Sequence, residues 1–207
     1  MICSERRPPD RQSTSLRQQL AAAAARMMSE QGVRDFAMAK RKAAAQLGVA
    51  ESSALPSNRE IDRALRQYQG LFQSIAQPRR LRELRLAAVS AMQFFERFGP
   101  CLAGAVLDGS ADQHSAVCLH LFVADATAVE RFLLDQNIPF ASDHRRLHAD
   151  PMHDFEVPVI RFAADEVAFD LSIFDTDQRR QAPLDRITGK PTRRATLAQV
   201  QALLDQP

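Results

Sequence analysis

The hydrophobic period of the chain changes at Gly99-Pro100, and this change limits the folds that the chain can adopt. Before it, apolar residues recur at spacings of three and four, which is typical of amphipathic helices. After it, apolar and polar residues alternate in short runs bounded by turn residues, which is typical of strands. The pattern predicts an α+β protein with an N-terminal helical array followed by a small mixed β-sheet domain with flanking helices.

Four helices are predicted before the change of period, and they begin near Ser15, Asp35, Glu60 and Arg79. Ser57 and Glu60 have the spacing of a capping box, in which each side chain bonds to the backbone N–H of the other residue. The last of these helices is predicted to end at Gly99-Pro100. The predicted regions are therefore a disordered N-terminus at 1–14, a helical region at 15–98 and an α+β domain at 99–207.

The second half of the chain contains four or five predicted strands. The nearly continuous apolar run Leu102–Leu107 predicts a buried strand. Pro158 places the predicted strand Val157–Phe162 at a sheet edge or at a strand start, because proline has no N–H to donate. The other predicted elements are strands at 116–123, 139–148 and 167–174, a helix at 126–136 after Asp125, and a last helix capped by Thr196.

The formal charge changes sign at the same point in the chain. Residues 1–100 carry 17 Lys and Arg against 9 Asp and Glu, whereas residues 101–207 carry 10 against 16. Such asymmetry indicates a basic unit that binds RNA or a protein partner, or two units that pair with each other in a body that can form a homodimer. The predicted basic patch consists of Lys40, Arg41, Lys42, Arg79, Arg80, Arg82 and Arg85.

Composition excludes several classes of protein. No apolar run of about 18 residues is present, so no membrane partner is expected. The first residues, MICSERRPPDRQSTS, carry charges and prolines where a signal peptide needs an apolar core, so we expect a cytoplasmic protein. Its cysteines, Cys3, Cys101 and Cys118, have no close spacing, and we therefore predict neither a structural zinc site nor a disulfide framework.

The stretch GAVLDGSADQHSAVCLHLF and a later aspartate resemble the nucleotidyltransferase superfamily of the polymerase-beta type. The features in common are Gly109-Ser110, Ser115 leading into a strand, and Asp170 in the middle of another strand. The resemblance implies that Gly109, Ser110 and Ser115 bind a nucleotide. In such enzymes three carboxylates hold two divalent cations that activate the attacking hydroxyl and neutralise the leaving phosphate.

Two of the three acid positions that the resemblance implies hold other residues. Ala116 and Cys118 lie where the first two acids are expected, and neither has the hard oxygen ligands that Mg²⁺ prefers. Asp170 fits the third position. We therefore expect a degenerate nucleotidyltransferase-like protein that binds a nucleotide, or another phosphate-bearing ligand, at Gly109-Ser110.

The alternative is an active enzyme that uses Mg²⁺ and a nucleoside triphosphate. In that case Asp170 and Asp112 are the candidate catalytic residues, and Asp108 or His114 are further replacements for the missing ligands. The stretch ARMMSEQGVRDFAMAKRKAAAQLG also resembles the helical N-terminal part of a group of small bacterial proteins that carry such a domain. That group brings no settled activity with it.

Two other motifs point to functions that we consider weaker. Cys118 and His120 lie on one side of a predicted strand, which suits zinc, but two ligands do not make a zinc site. Gly189-Lys190-Pro191-Thr192 resembles part of a phosphate-binding loop. It lacks the earlier glycine and the preceding apolar strand, and its proline obstructs a helix start, so we do not predict a P-loop enzyme.

Overall fold

The computed structural model describes residues 11–33, 35–49, 55–72, 76–150, 152–185 and 188–205. These residues form seven α-helices and one five-stranded mixed sheet, which confirms the predicted α+β class. The chain divides into two compact units, Met1–Ser74 and Ile75–Pro207. The change of period predicts a boundary at 98/99, whereas the units divide one helix earlier.

Three helices form the first unit. They are α1 at Arg11–Gln31, α2 at Phe36–Gln46 and α3 at Asn58–Phe72. Because α1 begins at Arg11, residues 11–14 of the predicted disordered N-terminus are helical, and residues 1–10 lie outside the described residues. The alanine-rich faces of α1 and α2 pack closely, and the buried core they share with α3 consists of Leu20, Ala21, Ala24, Ala25, Met27, Met28, Val33, Ala39, Ala43, Ala44 and Ile61.

Side chains cap the first turns of α2 and α3. Asp35 accepts a hydrogen bond from the Met38 N–H at 2.6 Å. Glu60 accepts one from the Ser57 N–H at 2.6 Å, and the Glu60 N–H donates to Ser57 Oγ at 3.3 Å. The predicted capping box is therefore confirmed, and each of these bonds satisfies a backbone donor that a helix start leaves unpaired.

The second unit contains the sheet, whose strand order is β1-β2-β5-β4-β3. Strands β2 and β5 are parallel, and the other neighbouring pairs are antiparallel. The strands are β1 at Cys101–Ala103, β2 at Val117–Phe122, β3 at Ala141–His148, β4 at Asp154–Ala164 and β5 at Val167–Phe174. The helices are α4 at Ala76–Phe94, α5 at Ala105–Asp108, α6 at Thr127–Asp135 and α7 at Leu197–Leu204.

Helix α4 belongs to the sheet unit because its apolar stripe packs there. Leu84, Met92 and Phe95 share one buried cluster with Leu119 of β2 and Leu171 of β5. An amphipathic stripe predicts that a helix buries one face, but it does not identify the surface on which that face packs. The two units accordingly divide before α4, whereas the predicted boundary follows residue 98.

The predicted strand Leu102–Leu107 is wrong beyond Ala103. Strand β1 ends there, Gly104 reverses the chain, and Ala105–Asp108 form the one-turn helix α5. A short apolar run is compatible with a buried strand or a buried helical turn, and periodicity alone does not separate them. Gly104 decides the outcome with φ 73° and ψ −156°, a combination that is essentially restricted to glycine.

Pro158 lies inside β4, which is a central strand of the sheet and not an edge strand. The pairing of β4 with β5 begins at Val159, opposite Ser172. At Pro158 the strand pairs with β3 alone, opposite His144. The missing N–H therefore falls just before the ladder with β5 begins, which is the local condition under which a strand tolerates proline.

Candidate functional site

The two faces of the sheet differ in what they contact. Leu119 and Leu121 of β2 and Leu171 of β5 point into the core formed with α4, α6 and α7, and we call this side the helix face. Side chains alternate along a strand, so the intervening residues lie on the opposite side. That side has a smaller buried cluster built from strand residues alone: Cys101, Phe122, Val157, Val159 and Phe174.

Asp170 lies on this second side, in the middle of β5 as predicted. Its Cα pairs with that of Cys118 across the parallel β2–β5 ladder. Arg145 Nη2 of β3 donates to Asp170 Oδ2 at 2.6 Å, and Arg161 Nε of β4 donates to the same oxygen at 3.3 Å. Two guanidinium groups thus surround a carboxylate whose side chain is only 13% exposed.

Both arginines also contact other groups of the sheet. Arg145 Nη1 donates to Ser172 Oγ at 3.1 Å, and Arg161 Nη1 donates to Asp143 Oδ2 at 3.1 Å. The first bond joins β3 to β5 and the second joins β4 to β3, so they fix both side chains over the sheet. Planar guanidinium groups held in this way are well suited to binding oxyanions.

The second oxygen of Asp170 is buried and accepts no hydrogen bond from the part of the chain that the structure describes. A buried acceptor without a hydrogen bond lowers the free energy of unfolding by about 1–3 kcal/mol. A buried polar atom without a partner needs a specific explanation. One common explanation is that the atom belongs to a polar site that binds a further molecule.

His120 continues the same side of β2, two residues after Cys118. Its Nδ1 accepts a hydrogen bond from Arg194 Nε at 2.9 Å, and its ring centroid lies 4.6 Å from that of Phe174. Burial is the main cause that lowers the pKa of His120 to about 3, and the charges of Arg194 and Arg145 lower it further. The imidazole is therefore neutral at physiological pH.

Arg194 completes a cationic cluster. Its guanidinium lies over the rings of Phe122 and Phe174, 4.9 and 4.8 Å from their centroids. Its Nη1 donates to the backbone oxygen of Gln178 at 3.0 Å. We call this side of the sheet, with Arg145, Arg161 and Arg194 as its cations, the arginine face.

The Gly109-Ser110 turn lies at the end of α5. The N–H groups of Gly109 and Ser110 both donate to the carbonyl oxygen of Ala105, so they cap the helix. A Cβ on Gly109 would face Leu81 and Arg85 of α4. These amides are therefore not available as a phosphate-holding pair, and the predicted binding role of this turn stays a prediction without geometric support.

Ser115 and Asp112 form a closed local turn. Ser115 Oγ donates to Asp112 Oδ1 at 3.1 Å, and the Asp112 N–H donates to Ser115 Oγ at 2.9 Å. The His114 N–H donates to the same Asp112 oxygen. Asp108 pairs with Arg193 at 3.2 Å. No group of three His, Cys, Asp or Glu side chains in the described residues could hold a metal ion.

The residues on the arginine face do not fit a magnesium site. Ala116 and Cys118 contribute no carboxylate. The negative charge of Asp170 is already paired with the guanidinium groups of Arg145 and Arg161. Mg²⁺ needs several oxygen ligands in octahedral geometry. His120 Nδ1 is not available as a zinc ligand, because it already accepts a hydrogen bond from Arg194.

The predicted basic patch separates into parts. Lys40, Arg41 and Lys42 lie on α2 of the first unit, and Arg82 is exposed on α4 of the second. Arg79 and Arg80 both pair with Glu83. Arg85 donates to the backbone oxygens of Val106 and Leu203, and burial lowers its pKa, so its role is structural.

Sequence reasoning missed the three arginines of the arginine face. Arg161 carried a usable signal, because it is a charge inside the apolar run Val157–Phe162. Arg145 lies in a polar stretch, and its reach to Asp170 depends on a strand register that the sequence does not specify. Arg194 lies in a loop, where no periodicity applies.

None of the helices in the described residues is long and apolar enough to span a bilayer. In comparisons with known proteins, no family model, no curated protein and no solved structure matches the chain.

Proposed function

We propose that the chain is a degenerate nucleotidyltransferase-like protein that binds a nucleotide, or another phosphate-bearing ligand, without transferring it. The observation that carries the proposal is the pairing of Asp170 with Arg145 and Arg161 on the arginine face. The ligand is assigned to this face and not to Gly109-Ser110, because the amides of that turn already bond to Ala105.

The charge balance of the arginine face supports an anionic ligand. Arg145, Arg161 and Arg194 supply three positive charges, Arg179 over the ring of Phe122 supplies a fourth, and Asp143 and Asp170 supply two negative ones. His120 adds no charge above its lowered pKa of about 3. Arg145 and Arg161 are 33% and 47% exposed, so N–H groups beyond those that bond to the protein can reach a phosphate.

Binding without transfer is favoured over an active magnesium enzyme by the groups around Asp170. Metal-dependent phosphoryl transfer needs carboxylates that converge on two cations. Here the partners of Asp170 are guanidinium groups, and its ladder partner Cys118 has a thiol in place of an acid. The alternative, an active nucleotidyltransferase on an unidentified acceptor, needs Asp170 to exchange both arginines for metal ions.

Calorimetric titration with ATP tests the proposal. Arg145→Ala is expected to weaken ATP binding at least about tenfold, since charge-assisted hydrogen bonds contribute about 1.5–3 kcal/mol. Arg131→Ala is the matched control, because Arg131 lies on α6, on the helix face of the sheet, and pairs with Asp125. Its affinity should stay within about twofold of the wild type. Equal losses in both variants, or no binding by the wild-type protein, would contradict the proposal.

Asp170→Asn separates the proposal from the alternative in the same titration. Removing the negative charge leaves Arg145 and Arg161 with a neutral neighbour, so ATP affinity in EDTA is expected to be unchanged or higher. A magnesium enzyme predicts instead that the variant loses Mg²⁺-dependent binding. Release of pyrophosphate from a panel of triphosphates by the wild-type protein would overturn binding without transfer.

RNA binding by α2 is a second candidate function. Arg41 and Lys42 are exposed and Lys40 is half-buried, so three consecutive cations lie on one short helix. Contacts with phosphates release counterions and give an affinity that falls steeply with salt. Fluorescence anisotropy with a single-stranded RNA should then show a salt slope that Arg41→Glu with Lys42→Glu reduces. A slope that the double variant leaves unchanged would rule out α2.

A further inference from the structure

A groove of about 680 Å³ lies where the turn between β3 and β4 meets the segment after β5. Phe155, Pro183 and Leu184 supply its apolar lining, and Asp150, His153 and Gln178 are among its polar residues. This volume is within the range of pockets that bind small organic ligands, which combine an apolar lining with a few polar groups.

The acids of the groove already have partners. Asp150 accepts hydrogen bonds from the N–H groups of Met152 and His153 and from the His153 ring, and the Met152 bond is the main cause that lowers its pKa. Asp154 is bound by Arg146 and His148. Because these carboxylate oxygens already accept hydrogen bonds from the protein, they do not converge on a free cation site in the groove. Its apolar lining and side-chain amides suit a flat, polar-edged ring.

The groove adjoins the arginine face through two direct contacts. The backbone oxygen of Gln178 accepts a hydrogen bond from Arg194 Nη1 at 3.0 Å. The ring of Phe155 lies 6.4 Å from that of Phe174, which in turn lies 4.6 Å from the ring of His120. A ligand bound to the arginine face can therefore extend into the groove.

We propose that the groove holds the base of a nucleoside phosphate whose phosphate groups lie on the arginine face. This inference rests on the proposed function and adds the class of ligand, because a phosphate alone would leave the groove unused. The base would stack on apolar side chains, and its edge would accept a hydrogen bond from Gln178 Nε2, because Gln178 Oε1 already accepts one from the Asp175 N–H.

Titrations with pyrophosphate and with ATP, both in EDTA, separate the two parts of the ligand. Ala182 lines the groove and is half-buried, so Ala182→Phe fills space that the base needs. Ala182→Phe is expected to weaken ATP binding about tenfold. Its affinity for pyrophosphate should stay within about twofold of the wild-type value. Ala164→Phe is the control, since Ala164 is exposed at the far end of β4 and should change neither affinity.

Proton NMR of the wild-type histidine rings gives a second measurement that does not depend on a variant folding. ATP should shift the ring signals of His153, which lines the groove, and pyrophosphate should not; His144 on β3 serves as the internal control. Equal affinity for ATP and pyrophosphate, with His153 unmoved, would overturn the inference while leaving the proposed function standing. Binding of neither ligand would overturn both.

Discussion

Phe95→Ala is expected to lower the free energy of unfolding of the sheet unit by about 3–5 kcal/mol, the usual cost of emptying a buried aromatic site. The Phe95 side chain is fully buried. Its ring contacts those of Phe94, Phe98, Phe132 and Phe162, with centroids 4.9 to 6.4 Å apart. The cavity therefore removes contacts with several elements at once, and collapse of one of them cannot fill it.

Phe94→Ala is the matched control for this experiment, because Phe94 is adjacent but 39% exposed. We expect its effect to be about 1 kcal/mol. Urea unfolding followed by far-UV circular dichroism measures the sheet unit together with the helices. Tyr68 is the single tyrosine, the chain has no tryptophan, and Tyr68 lies in α3, so tyrosine fluorescence reports on the first unit. A loss of stability in Phe95→Ala no larger than that in Phe94→Ala would contradict this prediction.

His120 is expected to make stability depend on pH between about 6.5 and 5. Its pKa is about 3 in the folded chain and near its ordinary 6.5 when unfolded. The unfolded chain therefore binds the proton more readily, so stability is fully present above pH 6.5 and falls as the pH is lowered. The slope approaches about 1.4 kcal/mol per pH unit, which gives a loss of about 2 kcal/mol by pH 5.

Urea unfolding at pH 7, 6 and 5 measures this loss. In His120→Phe the ring contact with Phe174 can be kept while the titrating group is removed, so most of the pH dependence in this window should disappear. The free energy of unfolding of His120→Phe is lowered by the same amount at every pH, because Arg194 Nε loses its hydrogen-bond acceptor. Leu134→Ala, which removes an exposed side chain and no titrating group, should keep the wild-type slope. An unchanged slope in His120→Phe would assign the effect to another group.

Local signals predicted most of the elements. Ser57 with Glu60 and Thr196 with Gln199 both form the capping boxes that their spacing indicates. Leu119 and Leu121 of β2 alternate with Cys118 and His120 and face the core, as the two-residue period of a strand requires. Such features depend on neighbours within a few positions, so the sequence contains all the information that they need.

Features that depend on distant contacts were not predictable in the same way. The sequence does not reveal that α4 packs on β2, because an amphipathic stripe shows which face of a helix is buried but not the surface that covers it. Of the residues of the site, the sequence predicted Asp170 and missed Asp143 and the three arginines that determine its chemistry. Arg145 reaches Asp170 across β4 only in the observed register, and a shift of one residue would turn its side chain to the other face.

The parallel pairing of β2 with β5 has a consequence for how the chain folds. Strands β3, β4 and β5 form a meander whose hairpins close short loops, whereas β2 and β5 meet only after α6 and that meander are in place. Closing this longer loop is the entropically slower step. Arg145, Arg161 and Asp170 come together in the meander, whereas Arg194 bonds to His120 of β2, so the arginine face is complete only after β2 has paired with β5. A ligand of that face would accordingly bind the native state alone and stabilise it in proportion to the logarithm of its concentration.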